Sequence, residues 1–400
     1  MKQVTAFVLA LLLLIMTADA GMLSEDEDTV EVDAAVFQDG EIAVRADALE
    51  IPAAGAILME QSTGTVLWEK EADRQLEPAS VTKIMTILLI AEAVDAGTLQ
   101  PDDTIQVSAY AAGMGGSQVF LEEGEQMCVR DMLKAIVVAS ANDAAVAMAE
   151  HLAGTESAFV ERMNRRAAEL GMTNTRFCNC TGLLDQPEHV TSARDVAIMA
   201  RELMTHDWIR EYTTIWTDTL RDGAFGLSNT NKLIRFYDGA TGLKTGFTQR
   251  AGYCLAATAE RNGEAYVAVV LNCATSAERF ESARTLLSFA FANYAVTAVE
   301  PEQPLPPIPV TLGEKRYVQP VTAACRGLVL ERSQLVGLTR TVELAETLEA
   351  PVYAGDQVGT LRLEADGVLL TEIPLLAGED SPRLSWGQLF LQLLQKMYIL

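Results

Sequence analysis

The stretch that decides the fold reads Glu77-Pro78-Ala79-Ser80-Val81-Thr82-Lys83-Ile84-Met85-Thr86. Proline lacks an N–H and has a preset φ, so Pro78 suits the first turn of a helix. Apolar residues then recur at helical spacing up to Gly97, a plausible terminator; they are Ile84, Ile87, Leu88, Ala91 and Val94. We expect a helix that begins at or just before Ser80 and buries one stripe of side chains.

Ser80 and Lys83 stand three residues apart, which places a hydroxyl and an amine on the same face of the first turn. A serine beside an amine that can take its proton is a candidate activated nucleophile. A solvated lysine at an exposed helix start is the commoner meaning of so short a motif. The remainder of the chain therefore has to decide between the two interpretations.

Two further short motifs follow, each occurring once. Ser140-Ala141-Asn142 lies in a tight loop between two predicted helices, the second of which we expect Asp143 to cap. Lys244-Thr245-Gly246 lies on a predicted strand just before a hairpin. Three motifs in this order, each in a sensible structural setting, are hard to obtain by chance.

The pattern of apolar residues predicts an α+β domain. Strands are predicted at residues 53–59, 65–68, 253–259 and 265–271, and the last two are joined by an Asn262-Gly263 hairpin turn. Helices are predicted at residues 129–139, 143–153, 156–170, 193–204 and 281–294. Strands at both ends of the segment with helices between them indicate one sheet covered by helices.

The chain divides into six segments. Residues 1–20 read as a signal peptide with an Ala18-Asp19-Ala20 cleavage site, and 21–48 as an acidic leader. The catalytic domain is predicted at 49–296, a proline-rich linker at 297–309, and a small all-β domain at 310–380. An uncleaved anchor is the alternative to the signal peptide.

The last segment, residues 384–400, predicts an amphipathic helix. Its apolar face carries Trp386, Leu389, Phe390, Leu393, Leu394, Met397 and Leu400. Such a helix is too short and too polar on one side to span a bilayer, but it suits the plane of a membrane surface. Docking on the β domain is the alternative. An exposed apolar stripe needs some apolar surface, which favours the membrane.

Composition and motif searches exclude several classes of function. A net charge of −25 argues against nucleic acid as a partner. Six cysteines in 400 residues do not make a disulfide scaffold, so we expect free thiols, although one bridge remains possible. The three histidines, His151, His189 and His206, accompany no Gly-x-Ser-x-Gly elbow and no metalloprotease motif, so we assign none of them to catalysis and expect no metal or cofactor.

With these motifs in view, the sequence resembles the serine-type D-alanyl-D-alanine carboxypeptidases, the low-molecular-mass penicillin-binding proteins of the DD-peptidase/β-lactamase-like superfamily. The resemblance rests on the motifs around Ser80, Ser140 and Lys244 and on Gly115-Gly116-Ser117. It covers roughly residues 50–295 and extends more loosely to the β domain and tail. It implies an antiparallel sheet covered by helices, peptidoglycan stem peptides as substrate, and β-lactam antibiotics as acylating inhibitors.

The resemblance also implies a role for each site residue. Ser80 is the expected nucleophile, and Lys83 accepts its proton once burial and the nearby Lys244 have lowered its pKa. Ser140 relays a proton to the leaving amine. Asn142 holds the Lys83 amine and the substrate amide. The substrate carboxylate is expected to bind Lys244, Thr245 and Arg279. The oxyanion is expected to accept hydrogen bonds from the N–H groups of Ser80 and Phe247. At Gly246 we expect the substrate backbone to run close to the strand.

Three alternatives stay open at this point. A β-lactamase of the same superfamily needs a group that activates water, and Glu156, Glu161, Glu169 and Glu188 fit no pattern for that role. A DD-endopeptidase would cut cross-links with the same chemistry. A catalytically inactive module would only bind wall peptides. We expect an exported protein at the outer face of the cytoplasmic membrane.

Overall fold

The computed structural model describes residues 49–183, 186–323 and 327–397. The predictions on the signal peptide, the leader and the last three residues of the tail lie outside these ranges. The strands are β1 (Gly55–Glu60), β2 (Val66–Lys70), β3 (Thr104–Gln106), β4 (Gln126–Cys128), β5 (Thr217–Leu220), β6 (Phe225–Ser228), β7 (Ala240–Thr248), β8 (Gly252–Arg261), β9 (Glu264–Cys273), β10 (Tyr294–Thr297), β11 (Ile308–Thr311), β12 (Tyr317–Val318), β13 (Pro320–Thr322), β14 (Leu328–Glu331), β15 (Leu338–Leu344), β16 (Leu348–Glu349), β17 (Gln357–Ala365) and β18 (Val368–Ala377).

The α-helices alternate with these strands along the chain. They are α1 (Lys83–Asp95), α2 (Ala109–Ala112), α3 (Val129–Val138), α4 (Asn142–Ala153), α5 (Glu156–Glu169), α6 (Ala193–Leu203), α7 (Arg210–Thr213), α8 (Leu233–Phe236), α9 (Ser276–Asn293), α10 (Arg332–Leu335) and α11 (Trp386–Met397). Short 3₁₀ turns precede α1 (Ala79–Thr82) and α7 (Asp207–Ile209). The fold class is α+β, as predicted.

A five-stranded antiparallel sheet in the order β2-β1-β9-β8-β7 organises the larger domain. Asn262 and Gly263 have φ of 52° and 82°, the left-handed conformation that a tight hairpin between β8 and β9 requires. Strand β7, which carries Lys244-Thr245-Gly246, is an edge of this sheet. On its outer side it pairs with no strand of the described part of the chain.

Both faces of the sheet are buried under helices. Successive side chains of a strand point to opposite faces, so neighbouring residues pack in different layers. On β9, Val267, Val269 and Leu271 pack on the face covered by α1 and α6. The intervening residues, Tyr266, Ala268 and Val270, pack on the face covered by α9. This double burial explains why the strands read as almost continuous apolar runs.

Helix α1 departs from the prediction in two ways. Ser80 lies in the 3₁₀ turn, and the α-helix itself begins at Lys83. Burial covers most of the circumference and is not confined to a stripe, since Ile84, Met85 and Thr86 are all fully buried. The helix runs between the sheet and other helices, so it has no broad solvated face. Its end is as predicted, with Gly97 at a φ of 71° after the last turn.

Two other local predictions need correction. Asp143 lies inside the first turn of α4, whose N-cap is Ala141. Its buried carboxylate accepts hydrogen bonds from the N–H groups of Val119 and Leu121, which fixes a distant loop. Helix α9 begins at Ser276, five residues before the predicted start, because the Thr275 side chain caps it by accepting from Glu278 N.

The C-terminal part is built from short sheets, and β13-β18-β17-β15 is the largest. Strands β10 and β11 occupy the two ends of the predicted linker, and β10 pairs with β14. The guanidinium of Arg332 donates to Glu264 and to the Phe291 carbonyl, which ties this part to the sheet domain.

Five cysteines are free thiols, namely Cys128, Cys178, Cys180, Cys254 and Cys273, while Cys325 lies outside the described residues. Along the described part of the chain, no helix has both the length and the apolar character needed to cross a membrane.

Candidate active site

Ser80 and Lys83 contact each other directly. The Lys83 Nζ lies 3.0 Å from Ser80 Oγ and donates a second hydrogen bond of 3.0 Å to the Thr181 carbonyl. The Lys83 side chain has no exposed surface, whereas Ser80 is half-buried. The 3₁₀ turn therefore presents the hydroxyl to the cleft and keeps the amine beneath it.

Burial lowers the pKa of Lys83 to about 7, while the neighbouring Cys180 and Asp143 act in the opposite direction. Near neutral pH a large share of this amine is uncharged and carries a lone pair that can accept the Ser80 proton. The pKa of Lys244 is also well below its usual range, because of burial first and then the charges of Lys83 and Arg279. The charge of Lys83 thus acts on Lys244, whereas the lowering of the Lys83 pKa comes from burial and not from Lys244, which the sequence analysis expected to contribute.

Ser140 connects the second motif to the third. The Lys244 Nζ donates to Ser140 Oγ over 2.8 Å, and both side chains are buried. Ser140 has a φ of 62°, a left-handed conformation that a residue with a side chain adopts only at a cost of order 1–3 kcal/mol. The loop between α3 and α4 thus holds this hydroxyl in a strained conformation, in contact with the edge strand.

Asn142 is close by, but its contacts differ from the prediction. Its Nδ2 donates to the Gly115 carbonyl over 2.7 Å, and its backbone N–H donates to Ser117 O. Among the described residues its Oδ1 is buried without a hydrogen-bond partner. The expected hydrogen bond to the Lys83 amine is absent among the described residues, where that amine contacts Ser80 and the Thr181 carbonyl. The Asn142 oxygen keeps a free acceptor position.

Strand β7 brings the third motif to the cleft. The Lys244 Nζ also donates to Thr245 O over 3.0 Å, and Thr245 Oγ1 donates to Thr230 Oγ1 over 2.7 Å. Thr230 was not predicted from the sequence. Arg279 is mostly buried, and its Nη1 donates to the Gly246 carbonyl over 3.1 Å. The arginine therefore contacts the backbone of the same strand.

Gly246 has a structural role in addition to the predicted close approach of a substrate. A Cβ at this position would lie 2.8 Å from Pro78 O and 3.1 Å from Ser80 N. The strand thus packs directly on the turn that carries the nucleophile, and the clash would be with that turn. The next residue, Phe247, is half-exposed and its ring lies 4.3 Å from the ring of Tyr253.

A loop before α6 supplies residues that the sequence reasoning missed. Thr181 O accepts from Lys83, and Gly182 has a φ of 75° and packs against Ala79. His189 is buried and lies 2.7 Å from Thr82 Oγ1. One signal was present in the sequence: Asn179, two residues before Thr181, accepts hydrogen bonds from the N–H groups of Thr181 and Gly182, a turn that asparagine favours.

Comparisons with known proteins identify the family of the chain. A family model described as D-alanyl-D-alanine carboxypeptidase matches residues 42–275, and one described as the C-terminal domain of penicillin-binding protein 5 matches 296–383. The D-alanyl-D-alanine carboxypeptidase DacF of Bacillus subtilis is 41% identical over 348 residues, which cover 86% of this chain and 88% of that protein.

Solved structures give the same result. Penicillin-binding protein 5 from Haemophilus influenzae matches with a TM-score of 0.74 and 28% identity over 84% of this chain and 99% of that one. Penicillin-binding protein D2 from Listeria monocytogenes, in its ampicillin-bound form, matches with a TM-score of 0.56 and 34% identity over 61% and 99%. This chain belongs to the D-alanyl-D-alanine carboxypeptidase family.

Proposed function

We propose that the chain is a serine-type carboxypeptidase that removes the terminal D-alanine from peptidoglycan pentapeptide stems through an acyl-enzyme on Ser80. One observation carries the proposal: the Lys83 Nζ lies 3.0 Å from Ser80 Oγ with its pKa lowered to about 7. An uncharged amine at hydrogen-bond distance from a hydroxyl is the arrangement that activates a nucleophile. The family to which the chain belongs supports the same chemistry.

Acylation follows from this contact. Ser80 Oγ attacks the carbonyl carbon between the two D-alanines while its proton moves to Lys83 Nζ. The tetrahedral intermediate then expels the nitrogen of the terminal D-alanine, which takes up, through Ser140, the proton that Lys83 received and leaves as the free amino acid. Water later attacks the Ser80 ester, restores the hydroxyl and releases the shortened peptide.

Lys244, Thr245 and Arg279 are proposed to hold the substrate carboxylate. In the structure both cations donate hydrogen bonds to backbone carbonyls of β7: Lys244 to Thr245 O and Arg279 to Gly246 O. An incoming carboxylate favours the charged form of an amine, so it would raise the lowered pKa of Lys244 and bind to the cation. Asn142 would accept the N–H of a substrate amide on its unpaired Oδ1.

The oxyanion is proposed to lie on the N–H groups of Ser80 and Phe247. The contact between Gly246 and the Ser80 turn places both groups on adjoining backbone segments. Preorganised backbone donors of this kind stabilise the transition state, and losing one costs on the order of 3 kcal/mol.

We expect the purified protein to release D-alanine from diacyl-Lys-D-Ala-D-Ala, with Ser80→Ala as the background control. A penicillin should block the release by acylating Ser80. Release from a cross-linked peptide at a comparable rate would favour the endopeptidase, and rapid turnover of nitrocefin would favour the β-lactamase. Failure of the wild-type protein to bind a fluorescent penicillin or to release D-alanine would contradict the proposed function.

The structure favours slow deacylation over the β-lactamase alternative. Three of the four candidate glutamates, Glu161, Glu169 and Glu188, are exposed on the surface. Glu156 is occupied by the Tyr110 hydroxyl and the Cys180 N–H. Binding of a β-lactam is proposed by similarity to the Listeria relative, whose structure contains ampicillin.

Acylation should depend on pH through Lys83. The uncharged amine is the reactive form, and burial lowers its pKa to about 7. The second-order rate constant for penicillin should therefore be constant well above pH 7, reach half its maximum near pH 7, and fall roughly tenfold per pH unit below it. Stopped-flow acylation from pH 5.5 to 8.5 measures this profile. A flat profile would contradict the assignment of Lys83 as the proton acceptor.

The C-terminal helix α11 is proposed to bind a membrane surface, with the protein exported to the outer face of the cytoplasmic membrane. Two of its aromatic side chains are not covered, since Trp386 is 88% exposed and Phe390 62% exposed, whereas Leu389 is half-buried. The start of the helix is held by Gln388, which donates to Glu314. Helix docking on the β domain therefore leaves these rings free, which supports the membrane proposal over the alternative.

Membrane association can be tested with vesicles. Burying an aromatic or leucine-sized side chain is worth about 1.5–3 kcal/mol, so Trp386→Ser with Phe390→Ser should weaken sedimentation with phosphatidylglycerol-containing vesicles at least about tenfold. Tyr353→Ser, which removes an exposed aromatic from the β domain, is the matched control. Equal sedimentation of both variants with the wild type would contradict the proposal.

A further inference from the structure

The peptide unit between Ala79 and Ser80 is enclosed on both sides by glycines. A Cβ on Gly182 would lie 1.8 Å from Ala79 O, and one on Gly246 would lie 3.1 Å from Ser80 N. The C=O and N–H of a trans peptide point in opposite directions from one rigid plane. Whatever holds the Ala79 carbonyl therefore also sets the direction of the Ser80 N–H.

The Ala79 carbonyl is held by Thr82. The Thr82 Oγ1 donates to Ala79 O over 2.8 Å, and the threonine is fully buried. A hydroxyl has one hydrogen to donate, and here the carbonyl receives it. The second partner of Thr82 Oγ1, His189 Nε2 at 2.7 Å, must therefore be a donor.

The contacts of the imidazole independently assign the same tautomer. The Cys178 N–H donates to His189 Nδ1 over 3.0 Å, so Nδ1 is the acceptor and Nε2 carries the hydrogen. The ring is buried and packs edge-on against Phe177. Burial lowers the pKa of His189 to about 4, which keeps it in this neutral form at physiological pH.

The four groups form one directed chain of donors. It runs from Cys178 N–H to His189, from His189 to Thr82, from Thr82 to the Ala79 carbonyl, and across the peptide to Ser80 N–H. Ala79 has a φ of 46°, a strained conformation for a residue with a side chain, so this peptide persists only if its surroundings hold it. Aligned hydrogen bonds also polarise one another, which strengthens the last donor.

We propose that His189 is a positioning residue for the oxyanion site: acting through Thr82, it fixes the Ala79–Ser80 peptide so that the Ser80 N–H points into the cleft. The proposal rests on the proposed function, because it needs an oxyanion at Ser80. It assigns His189 no proton transfer and no contact with the substrate.

Two substitutions of the same residue separate this role from packing. In His189→Asn the side-chain oxygen can replace Nδ1 as acceptor for Cys178, but the donor to Thr82 is lost. In His189→Gln the amide nitrogen can replace Nε2 as donor to Thr82. Thr82→Val removes the hydroxyl at nearly constant volume, and Thr82→Ser keeps it. Phe177→Leu loosens the packing around the ring and leaves the hydrogen bonds in place.

The readouts are the acylation rate constant with a fluorescent penicillin, kcat and KM for diacyl-Lys-D-Ala-D-Ala, and the melting temperature. Since losing a whole oxyanion donor costs about 10²–10³ in rate, we expect its misorientation in His189→Asn and Thr82→Val to cost at least about tenfold in kcat, with KM within about twofold. His189→Gln and Thr82→Ser should stay within about threefold of wild type. The double variant of His189→Asn and Thr82→Val should be no slower than either single one.

A boronic-acid analogue of the peptide gives a second readout, since its tetrahedral adduct with Ser80 places an oxygen at the oxyanion position. Its affinity should fall with kcat in His189→Asn and Thr82→Val, and should be retained in Phe177→Leu despite a lower melting temperature. The proposal would be overturned if His189→Asn and His189→Gln lost activity equally and in proportion to the fall in melting temperature. Normal acylation in Thr82→Val would also overturn it. A wild-type protein that no penicillin acylates would instead overturn the proposed function, and this proposal with it.

Discussion

Replacing Lys83 with methionine should reduce acylation by penicillin and release of D-alanine by about 10³-fold or more, close to the background of Ser80→Ala, since a positioned general base contributes roughly 10²–10⁴. The amine lies 3.0 Å from Ser80 Oγ, and no other amine in the described structure is within hydrogen-bond distance of that hydroxyl. Lys244, the nearest alternative, donates to Ser140 and to Thr245 O.

The same substitution should leave the fold intact and raise its stability or leave it unchanged. Lys83 has no exposed surface, and its lowered pKa means that burial disfavours the charged form. A lysine whose pKa is lowered by folding destabilises the folded state most below pH 7, and this penalty fades as the pH rises from 7 towards its ordinary pKa. Methionine fills a similar volume without that penalty. Thermal unfolding measured beside the acylation kinetics tests both halves. A melting temperature that falls together with activity would mean that Lys83 is a structural residue.

Patterns of residue spacing and turn residues predicted the structure correctly where residues close in the sequence are also close in space. The spacing of Ser80 and Lys83 predicted their contact, and Asn262-Gly263 predicted the hairpin. The order of the three motifs, with the family resemblance, predicted that Lys244 and Ser140 would meet. Their separation of 104 residues shows that this part of the prediction came from the resemblance, since no periodicity reports such a contact.

The errors in the predicted fold have identifiable physical causes. Helix α1 was expected to bury one stripe because an apolar pattern reports spacing and cannot report how many layers surround a helix. The early start of α9 was visible in principle, since Thr275 and Glu278 have capping-box spacing and Glu278 Oε2 also accepts from Ala274 N. The predicted capping role of Asp143 rests on how common acceptors are at that position, whereas its carboxylate accepts from Val119 and Leu121, over twenty residues away, as well as from Ala144.

The loop before α6 could not be placed on the site from the sequence. Thr181 and Gly182 act through a backbone carbonyl and a missing side chain, so the turn signal at Asn179 indicates a bend but not its place beside Lys83. His189 was set aside because it matched no triad, and its contact with Thr82 spans 107 residues. Asn142 shows the converse: its presence at the site was predicted, but its hydrogen bond to the Gly115 carbonyl was not. The residues are thus predicted better than their contacts.

Replacing Gly246 with alanine should reduce acylation by about 10²–10³-fold, the cost of losing an oxyanion donor. The added methyl would lie 2.8 Å from Pro78 O, 3.0 Å from Val81 N and 3.1 Å from Ser80 N, and all three are backbone atoms that cannot rotate away. The strand and the Ser80 turn must therefore separate, which displaces the Ser80 N–H from that of Phe247. Overpacking of this kind also costs about 1–3 kcal/mol of stability.

The effect should come from this contact and not from the backbone conformation, because Gly246 is not among the residues with a positive φ. Gly226→Ala on β6 is the matched control, since that glycine also has no positive φ and its Cβ would meet no atom within 4 Å. Acylation kinetics and thermal unfolding of both variants should show a large loss of activity in Gly246→Ala alone. Acylation of Gly246→Ala at the wild-type rate would show that β7 does not rest against the turn of the nucleophile, and the convergence of the motifs on one cleft would have to be abandoned.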